Sequence, residues 1–572
     1  MFAKIFPILR LPRRFHVFDY VIPDEMMVAV GDVVQIPFRH RTVLGVVQSI
    51  TESTIEKRVL PLTSGSIGFT IPSNDLERIT TIASELGQST SSILNVAYEG
   101  LSVYPASPHP KSFATYPSPS SPAIDQPTIS SVHTILDRLT SDRALSVACD
   151  DETFCVLAHA LCKTIKHQIL ILVPRERDAR FLATMLRSTT PTVLTGKVSS
   201  HDRNAILRSW HSGSIRVLIG TRQATLIPPH SLGAVLVYQS ACSDHQSPLR
   251  NPHIHAVRAA EALARSANAP FVACDTFPEP SATLPLVVTT DGADATLIDV
   301  MHKGENSPYP LLSQTLLAAI DDALTDHKKV LLSFNRKGVA KRIECKACGY
   351  VPFCGTCGSL PTVRIDDLLC TACGTEMWRP TECPSCRSPK IGLKSIGGTK
   401  IADDLHKAFP NAIIGHIEKG RYDRDADILL ATEFFFSSVI EPFHSYGFGV
   451  VAEILADVGF IPGDFRGAET TARKIARLRH LAHRESATCI IQTLTRDRVQ
   501  SLLGAEYVHR NELDARKKYS LPPFGVVVEF ETEEGEVLPN ELKNSKISHE
   551  TFAHWQTLFP TLPDSVKIRV SQ

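Results

Sequence analysis

Eight cysteines in four C-x-x-C pairs limit what this chain can fold into more than any other feature. The pairs are Cys345 and Cys348, Cys354 and Cys357, Cys370 and Cys373, and Cys383 and Cys386, all within 42 residues. A C-x-x-C turn aims two thiolates at one point, which is half of a tetrahedral zinc site. Four pairs supply two four-cysteine sites. Gly349, Gly358 and Gly374 follow three of the pairs, where the tight turn of a zinc knuckle favours a residue without Cβ. Disulfides are the competing reading, and they suit short exported chains. This chain has 572 residues, and residues 1–14 are broken by Lys4, Arg10, Arg13 and Arg14 rather than forming a signal peptide's apolar core. The other cysteines (Cys149, Cys155, Cys162, Cys242, Cys274 and Cys489) are scattered and read as buried thiols. The expected compartment is therefore reducing and cytoplasmic. No apolar run reaches the roughly 18 residues a bilayer span needs, so no membrane partner is expected.

In order, the chain divides into five parts. Residues 1–103 are β-rich: the runs 15–20, 33–38 and 42–47 alternate as strands do, Gly31-Asp32 is a turn, and residues 74–100 have helical spacing. On pattern alone nothing there says what the module binds. Residues 104–131 carry Pro105, Pro108, Pro110, Pro117, Pro119, Pro122 and Pro127 among serines, the composition of a linker. Residues 132–285 alternate buried-strand runs (168–173, 215–220, 234–237, 270–273) with helices, which predicts a parallel α/β lobe. A second series spans 286–505, with runs at 329–334, 412–415, 427–430, 450–455 and 489–492. The cysteine block, 343–390, interrupts it right after its first strand. Residues 506–572 form a short C-terminal domain. The predicted fold class is α/β: two lobes, a cysteine-rich insertion in the second, and a small β-rich domain in front.

Lys+Arg and Asp+Glu each number 60, so net charge does not argue for or against nucleic acid and local charge must. Residues 466–484 hold Arg466, Arg473, Lys474, Arg477, Arg479 and Arg484 against one acid, Glu469. On a helix Arg473, Arg477, His480 and Arg484 share a face, either a phosphate-tracking stripe or a solvated one. A further patch, Arg336, Lys337, Lys341, Arg342 and Lys346, leads into the cysteine block.

Several short motifs stand in one order along the chain. They are F-D-Y at Phe18, Asp19 and Tyr20, V-G-D-V-V-Q-I-P-F at 30–38, I-G-T-R at 219–222, and F-N-R-K-G at 334–338. The eight cysteines follow, then G-G-T at 397–399, D-F-R-G-A-E at 464–469 and L-P-P-F-G at 521–525. Each is weak alone. Their collinear order with the cysteine spacing resembles the primosomal protein N′ (PriA) family of replication restart proteins over nearly the whole chain. The resemblance implies a β-rich DNA 3′-end-binding domain and two RecA-like lobes of superfamily 2 helicase type with a double-zinc insertion. It implies a DNA-binding pocket at Phe18, Asp19, Tyr20, Gly31 and, more loosely, Lys57. There an aromatic can stack on a terminal base and an acid can accept a bond from a 3′-hydroxyl. Phe18 and Tyr20 also read simply as core residues of a strand. By the same analogy Cys345, Cys348, Cys383 and Cys386 share one Zn²⁺, and Cys354, Cys357, Cys370 and Cys373 the other. Spacing alone allows sequential pairing as well.

The departures from the family matter as much. The phosphate loop should follow the first strand of lobe one, where 146–153 read S-V-A-C-D-D-E-T, without glycine or lysine and with three carboxylates in a row. The acidic D-E-E-H box is replaced by Tyr238, Gln239, Ser240 and Ala241, which offer no carboxylate for Mg²⁺. The family's Q-V-A-G-R-A-G-R aligns with 477–484, which read R-L-R-H-L-A-H-R, and the K-G-H-D-like motif near Ser437 and Ser438 is gone. The linker occupies the place of a winged helix, and the C-terminal domain is shortened. The expectation is a protein that binds branched DNA (stalled forks, D-loops) and promotes primosome assembly and reloading of the replicative helicase. Its expected partners are primosome proteins, the helicase loader and single-strand binding protein. No catalytic or ATP-binding residue is assigned. The alternatives are an ATP-dependent 3′-5′ helicase with an unconventional nucleotide site, and a zinc-stabilised interaction scaffold.

Overall fold

A computed structural model describes the chain except for residues 13–15, 57, 105–125, 247–251, 290–291, 301–306, 310, 335–340, 349, 357–360, 364–366, 371–374, 396–397, 419–420, 438–444, 458–464, 532–545, 549–566 and 572. Most of the proline-rich stretch thus lies outside the described residues.

The first unit is a six-stranded sheet built from β1 (Phe2–Pro7), β2 (Phe18–Val21), β3 (Asp32–Phe38), β4 (Arg41–Thr51), β5 (Leu60–Pro61) and β6 (Ser64–Thr70). Its order is β5-β2-β1-β4-β3-β6, antiparallel apart from the β2–β5 pair. The period of two sends Ala3, Ile5, Tyr20, Val34 and Ile36 inward to one apolar cluster and leaves Lys4 outside. Gly31 sits in the turn before β3 at φ +89°, and a Cβ there would lie 2.1 Å from the Ile71 carbonyl oxygen, so only glycine fits.

Helices α1 (Ser73–Glu85) and α2 (Thr90–Ala97) do more than close this sheet. Ile79, Ile93 and Leu94 enter one core cluster with Phe6 and Phe69 of the sheet and with Leu170, Trp210 and Leu226 of the following lobe. Arg78 Nη1 donates to Thr225 O at 3.0 Å, and Arg208 Nη2 donates to Ser102 O at 2.7 Å. Shared apolar burial and buried bonds across the boundary join the β-rich unit directly to lobe one.

Lobe one begins with α3 (Gln126–Asp142) and β7 (Ala144–Ala148). It continues with α4 (Asp151–Thr164), β8 (Gln168–Leu172), α5 (Glu176–Met185), β9 (Thr192–Leu194), α6 (Ser200–His211) and β10 (Val217–Gly220). It ends with β11 (Leu232–Val237), α7 (Ala256–Ser266), β12 (Phe271–Asp275) and β13 (Leu286–Val288). The seven strands run parallel in the order β13-β7-β12-β11-β8-β10-β9. Within β8, Leu170 and Leu172 face one cluster while Ile169 and Ile171 face another. Both sheet faces are covered, which is why the strand reads as a continuous apolar run.

Lobe two repeats the plan: β14 (Ala295–Asp299), α8 (Gln314–Thr325), β15 (Lys329–Ser333), the cysteine insertion, then α9 (Gly398–Ala408). The insertion carries β16 (Lys341–Cys345), β17 (Thr362–Val363), β18 (Asp367–Leu369), β19 (Glu376–Trp378) and β20 (Ile391–Ser395). Next come β21 (Ile414–Glu418), β22 (Arg421–Tyr422), β23 (Ile428–Ala431), α10 (Glu433–Ser437), β24 (Phe448–Glu453), α11 (Gly467–Glu485), β25 (Thr488–Thr493) and α12 (Arg496–Gln500). The sheet order is β14-β25-β24-β15-β23-β21-β22, parallel except for β22. The cysteine block therefore follows the second strand of the lobe, not the first. Strand β14 was missed because it is an edge strand, and only Leu297 and Ile298 of its five residues are buried. The insertion rests on the lobe through Val351 and Phe353, packed with Leu455, Leu494 and Val300. Helix α13 (Ala505–Lys518) leads to a final sheet of β26 (Gly525–Glu531), β27 (Lys546–Ser548) and β28 (Lys567–Ser571). The two parallel lobes with the cysteine insertion are the fold class expected from the sequence. Among the described residues, no helix is long and apolar enough to cross a membrane.

Candidate nucleic-acid interface and metal centre

The metal centre is built by hairpin turns. Cys345 N donates to Tyr350 O at 2.8 Å, Cys370 N to Thr375 O at 2.8 Å, and Cys383 N to Ser388 O at 2.9 Å. The same bond, from residue i to residue i+5, closes three knuckles. The ladder between β16 and β20, with Cys345 opposite Ile391, brings the first knuckle to the last. As a result the Sγ atoms of Cys345, Cys348, Cys383 and Cys386 all lie within 4.8 Å of one another. Cys345 and Cys386 are 3.6 Å apart and Cys348 and Cys383 are 3.5 Å apart. Zinc–sulfur bonds of about 2.3 Å place tetrahedral sulfurs about 3.8 Å apart, so these four thiols fit a zinc ion. This is the outer grouping named above, and it excludes sequential pairing for these four. Of the inner grouping, Cys354 and Cys370 are buried, and Cys357 and Cys373 lie outside the described residues. Thr375 Oγ1 donates to Thr356 Oγ1 at 3.3 Å, which ties the two inner knuckles together.

The F-D-Y strand separates by face. Tyr20 is 5% exposed, belongs to the core, and donates its hydroxyl to Pro37 O at 3.1 Å. Phe18 packs edge-on against Phe38 with ring centres 5.3 Å apart. Both aromatics lie on the core face of the strand, Tyr20 buried and Phe18 half-buried. Asp19 points the other way, beside Lys4 on the neighbouring strand. Its Oδ2 accepts a hydrogen bond from Thr54 Oγ1. Gly31 acts through its turn, where its N–H donates to Val47 O at 2.8 Å. Lys57 lies outside the described residues.

Where a motor would hold a nucleotide, the chain binds itself. A helix N-terminus after the first strand of a lobe is an anion site when its amides are free. At α4 the Asp150 side chain takes the Thr153 amide at 2.7 Å, and Asp151 and Glu152 occupy the first turn. The Tyr238 hydroxyl, from the segment that replaces the acidic box, donates to Asp151 Oδ1 at 2.6 Å. Burial raises the Asp151 carboxyl above its ordinary range, and burial pushes Asp178, at the start of α5, up to about 7. The α4 N-terminus thus presents the half-buried carboxyls of Asp150, Asp151 and Glu152, with the Tyr238 hydroxyl on Asp151.

The arginine-rich helix divides along its length: Arg473 and Arg477 are largely buried in ion pairs, while Arg484 near its end is exposed. Arg477 donates to Asp275 at 3.5 Å, to Thr276 Oγ1 at 3.3 Å and to Glu433 at 3.1 Å. Arg473 donates to Phe277 O at 3.1 Å and pairs with Glu469. Arg466 reaches Glu279 at 3.3 Å, Lys474 reaches Glu453 at 2.6 Å, and Arg516 from α13 reaches Glu469 at 2.6 Å. Arg466, Arg473, Lys474 and Arg477, with Glu279, Glu433, Glu453 and Glu469, line an inter-lobe cleft of about 500 Å³. Each cation in it faces an acid, so the cleft is self-neutralised. The α11 cations have partners in lobe two (Glu433, Glu453, Glu469) and, about 200 residues upstream, in lobe one (Asp275, Thr276, Phe277, Glu279). Of the other basic patch, Lys346 is exposed, while Arg336 and Lys337 lie outside the described residues.

Sequence reasoning missed Thr54, the Tyr238–Asp151 bond, and the Glu469–Arg516 pair. A hydrophobic tyrosine standing where a metal-binding acid is expected was the one available signal for Tyr238.

Comparison with known proteins gives a consistent pattern. A family model described as a 3′ DNA-binding domain (PriA 3′BD) matches residues 8–97. The chain is 24% identical to the replication restart protein PriA of Rickettsia conorii, over 91% of this chain and 84% of that one. It is 23% identical to the PriA of Borreliella burgdorferi, over 58% of this chain and 54% of that one. With Bacillus subtilis PriA the identity is 24%, over 62% of this chain and 48% of that one. The matches thus span about half the length of the latter two relatives. Among solved structures, S. cerevisiae Dbp5 bound to RNA and ADP BeF3 matches at 9% identity and TM-score 0.32, over 77% of this chain and 97% of that one.

Proposed function

We propose that this chain, which matches a PriA 3′ DNA-binding domain model over residues 8–97 and is similar to PriA replication restart proteins along most of its length, binds the 3′ end of a nascent strand at branched DNA without a working motor. Stalled forks and D-loops are the substrates. Asp19 accepts the terminal 3′-hydroxyl, the main chain at Phe18 and Tyr20 and the turn at Gly31 frame the nucleotide, and Lys57 meets its phosphate. The insertion carries two zinc ions, the second on Cys354, Cys357, Cys370 and Cys373. It is the platform that meets primosome proteins, single-strand binding protein and the loader of the replicative helicase. The observation that carries the reading is the outward Asp19 on a strand whose two aromatic neighbours turn into the core. The carboxyls at the α4 N-terminus and the inter-lobe ion pairs support the absence of a motor.

The test is equilibrium binding to a fork with a 3′-ended nascent strand and to a blunt duplex of the same length. The wild type prefers the fork, and its affinity falls steeply with salt as phosphate contacts require. Asp19→Ala weakens fork binding about tenfold or more, the worth of a charge-assisted hydrogen bond of about 1.5–3 kcal/mol, and leaves duplex binding unchanged. Equal affinity of the wild type for fork and blunt duplex would sink the proposal.

A further inference from the structure

One hydroxyl joins two distant pieces of the β-rich unit. Thr54, on the loop after β4, donates its Oγ1 to Asp19 Oδ2 on β2. The same oxygen accepts the Glu56 amide at 3.1 Å, and Thr51 Oγ1 donates to Ser53 O at 3.0 Å in the turn before it. The fold of residues 51–56 and the orientation of the Asp19 carboxylate are therefore set together. Asp19 Oδ2 is committed, and Oδ1 has no hydrogen-bond partner among the described residues. Lys4 stands directly opposite Asp19 in the β1–β2 ladder and is exposed on the same face. Ile55, the next residue on the loop, is 96% exposed. An apolar side chain that open, beside a carboxylate held in one rotamer and a cation across the ladder, makes a composite surface with three kinds of contact.

We infer that Thr54 is a positioning residue for a 3′-terminal nucleotide. This rests on the 3′-end reading above. The threonine hydroxyl fixes Asp19 so that Oδ1 accepts the terminal 3′-hydroxyl, and the loop it pins lays Ile55 against the terminal nucleoside. Lys4 faces the phosphate one step back. A held carboxylate repels a 3′-phosphate, so the site selects an extendable end. No bond is made or broken.

The experiment is fluorescence anisotropy with forks whose nascent strand ends in a 3′-hydroxyl or a 3′-phosphate. Wild type, Thr54→Val and Thr54→Ser are compared, with melting curves to establish that each is folded. The wild type prefers the hydroxyl end. Thr54→Val, which keeps the shape and loses the donor, reduces that preference about five- to tenfold, the effect of one orienting hydrogen bond. Thr54→Ser, which keeps the donor, retains it. Should the wild type discriminate and Thr54→Val discriminate equally, the role of Thr54 is refuted while the 3′-end reading stands. Loss of preference in the serine variant as well would also refute it, since methyl packing would then be responsible. A wild type indifferent to the 3′ terminus refutes both.

Discussion

Cys383→Ala will remove one of the two zinc ions proposed for the chain and unfold the outer half of the insertion while both lobes stay folded. Cys383 is buried, its amide closes the last knuckle on Ser388, and its thiol is one of four that fit a single ion. A structural zinc supplies about 10–16 kcal/mol of apparent binding free energy, and in small modules that is the folding free energy. Among the described residues, the insertion's apolar contact with lobe two is Val351 and Phe353 against Leu455, Leu494 and Val300. With three thiolates left, the β16–β20 ladder loses the point that closes it. Metal analysis should give one ion fewer per chain, and hydrogen exchange should lose protection at the Cys345 and Cys383 amides while β25 stays protected. Cys489→Ala, at a buried thiol of β25 outside the cluster, should leave the metal content unchanged.

Arg516→Met will cost about 1.5–3 kcal/mol, because it leaves Glu469 Oε2 buried without its guanidinium while Oε1 keeps Arg473. Arg516 is 1% exposed and Glu469 is 2% exposed, and the two meet at 2.6 Å. Glu469 also holds Arg473, which donates to the lobe-one carbonyl of Phe277. Loss of the guanidinium thus leaves negative charge where C-terminal helix, lobe two and lobe one meet. The readout is thermal melting, where the shift should be several degrees. Arg516→Met with Glu469→Gln should recover a large part of the loss, since the stranded charge is then gone. A single variant that melts with the wild type would show that the pair contributes nothing.

The sequence made some of this legible and not the rest, for physical reasons. Strands such as β8 and β24 are buried on both faces, so their apolar runs declared them. Strand β14 lies at a sheet edge and did not. The cysteine pairs are legible because a knuckle is local, but the outer and inner grouping depends on the β16–β20 ladder, which spacing does not encode. The α11 arginines show the limit most clearly. Arg473 and Arg477 keep the same spacing whether they face water, phosphate or Asp275, and only the fold supplies the acid. Asp19 was legible through its motif, but its pairing with Thr54 depends on a loop 35 residues away. The row of carboxylates at Asp150, Asp151 and Glu152 was plain in the sequence, while the Tyr238–Asp151 bond was not.

The central claim is that DNA-end binding here runs without a nucleotide cycle. It is tested most directly by titrating a 3′-ended fork against the protein with and without Mg-ATP while phosphate release is recorded. The account predicts the same fork affinity in both conditions and no phosphate released above that of the DNA alone. Fork-stimulated hydrolysis that requires Mg²⁺, or a fork affinity that shifts with ATP, would contradict it.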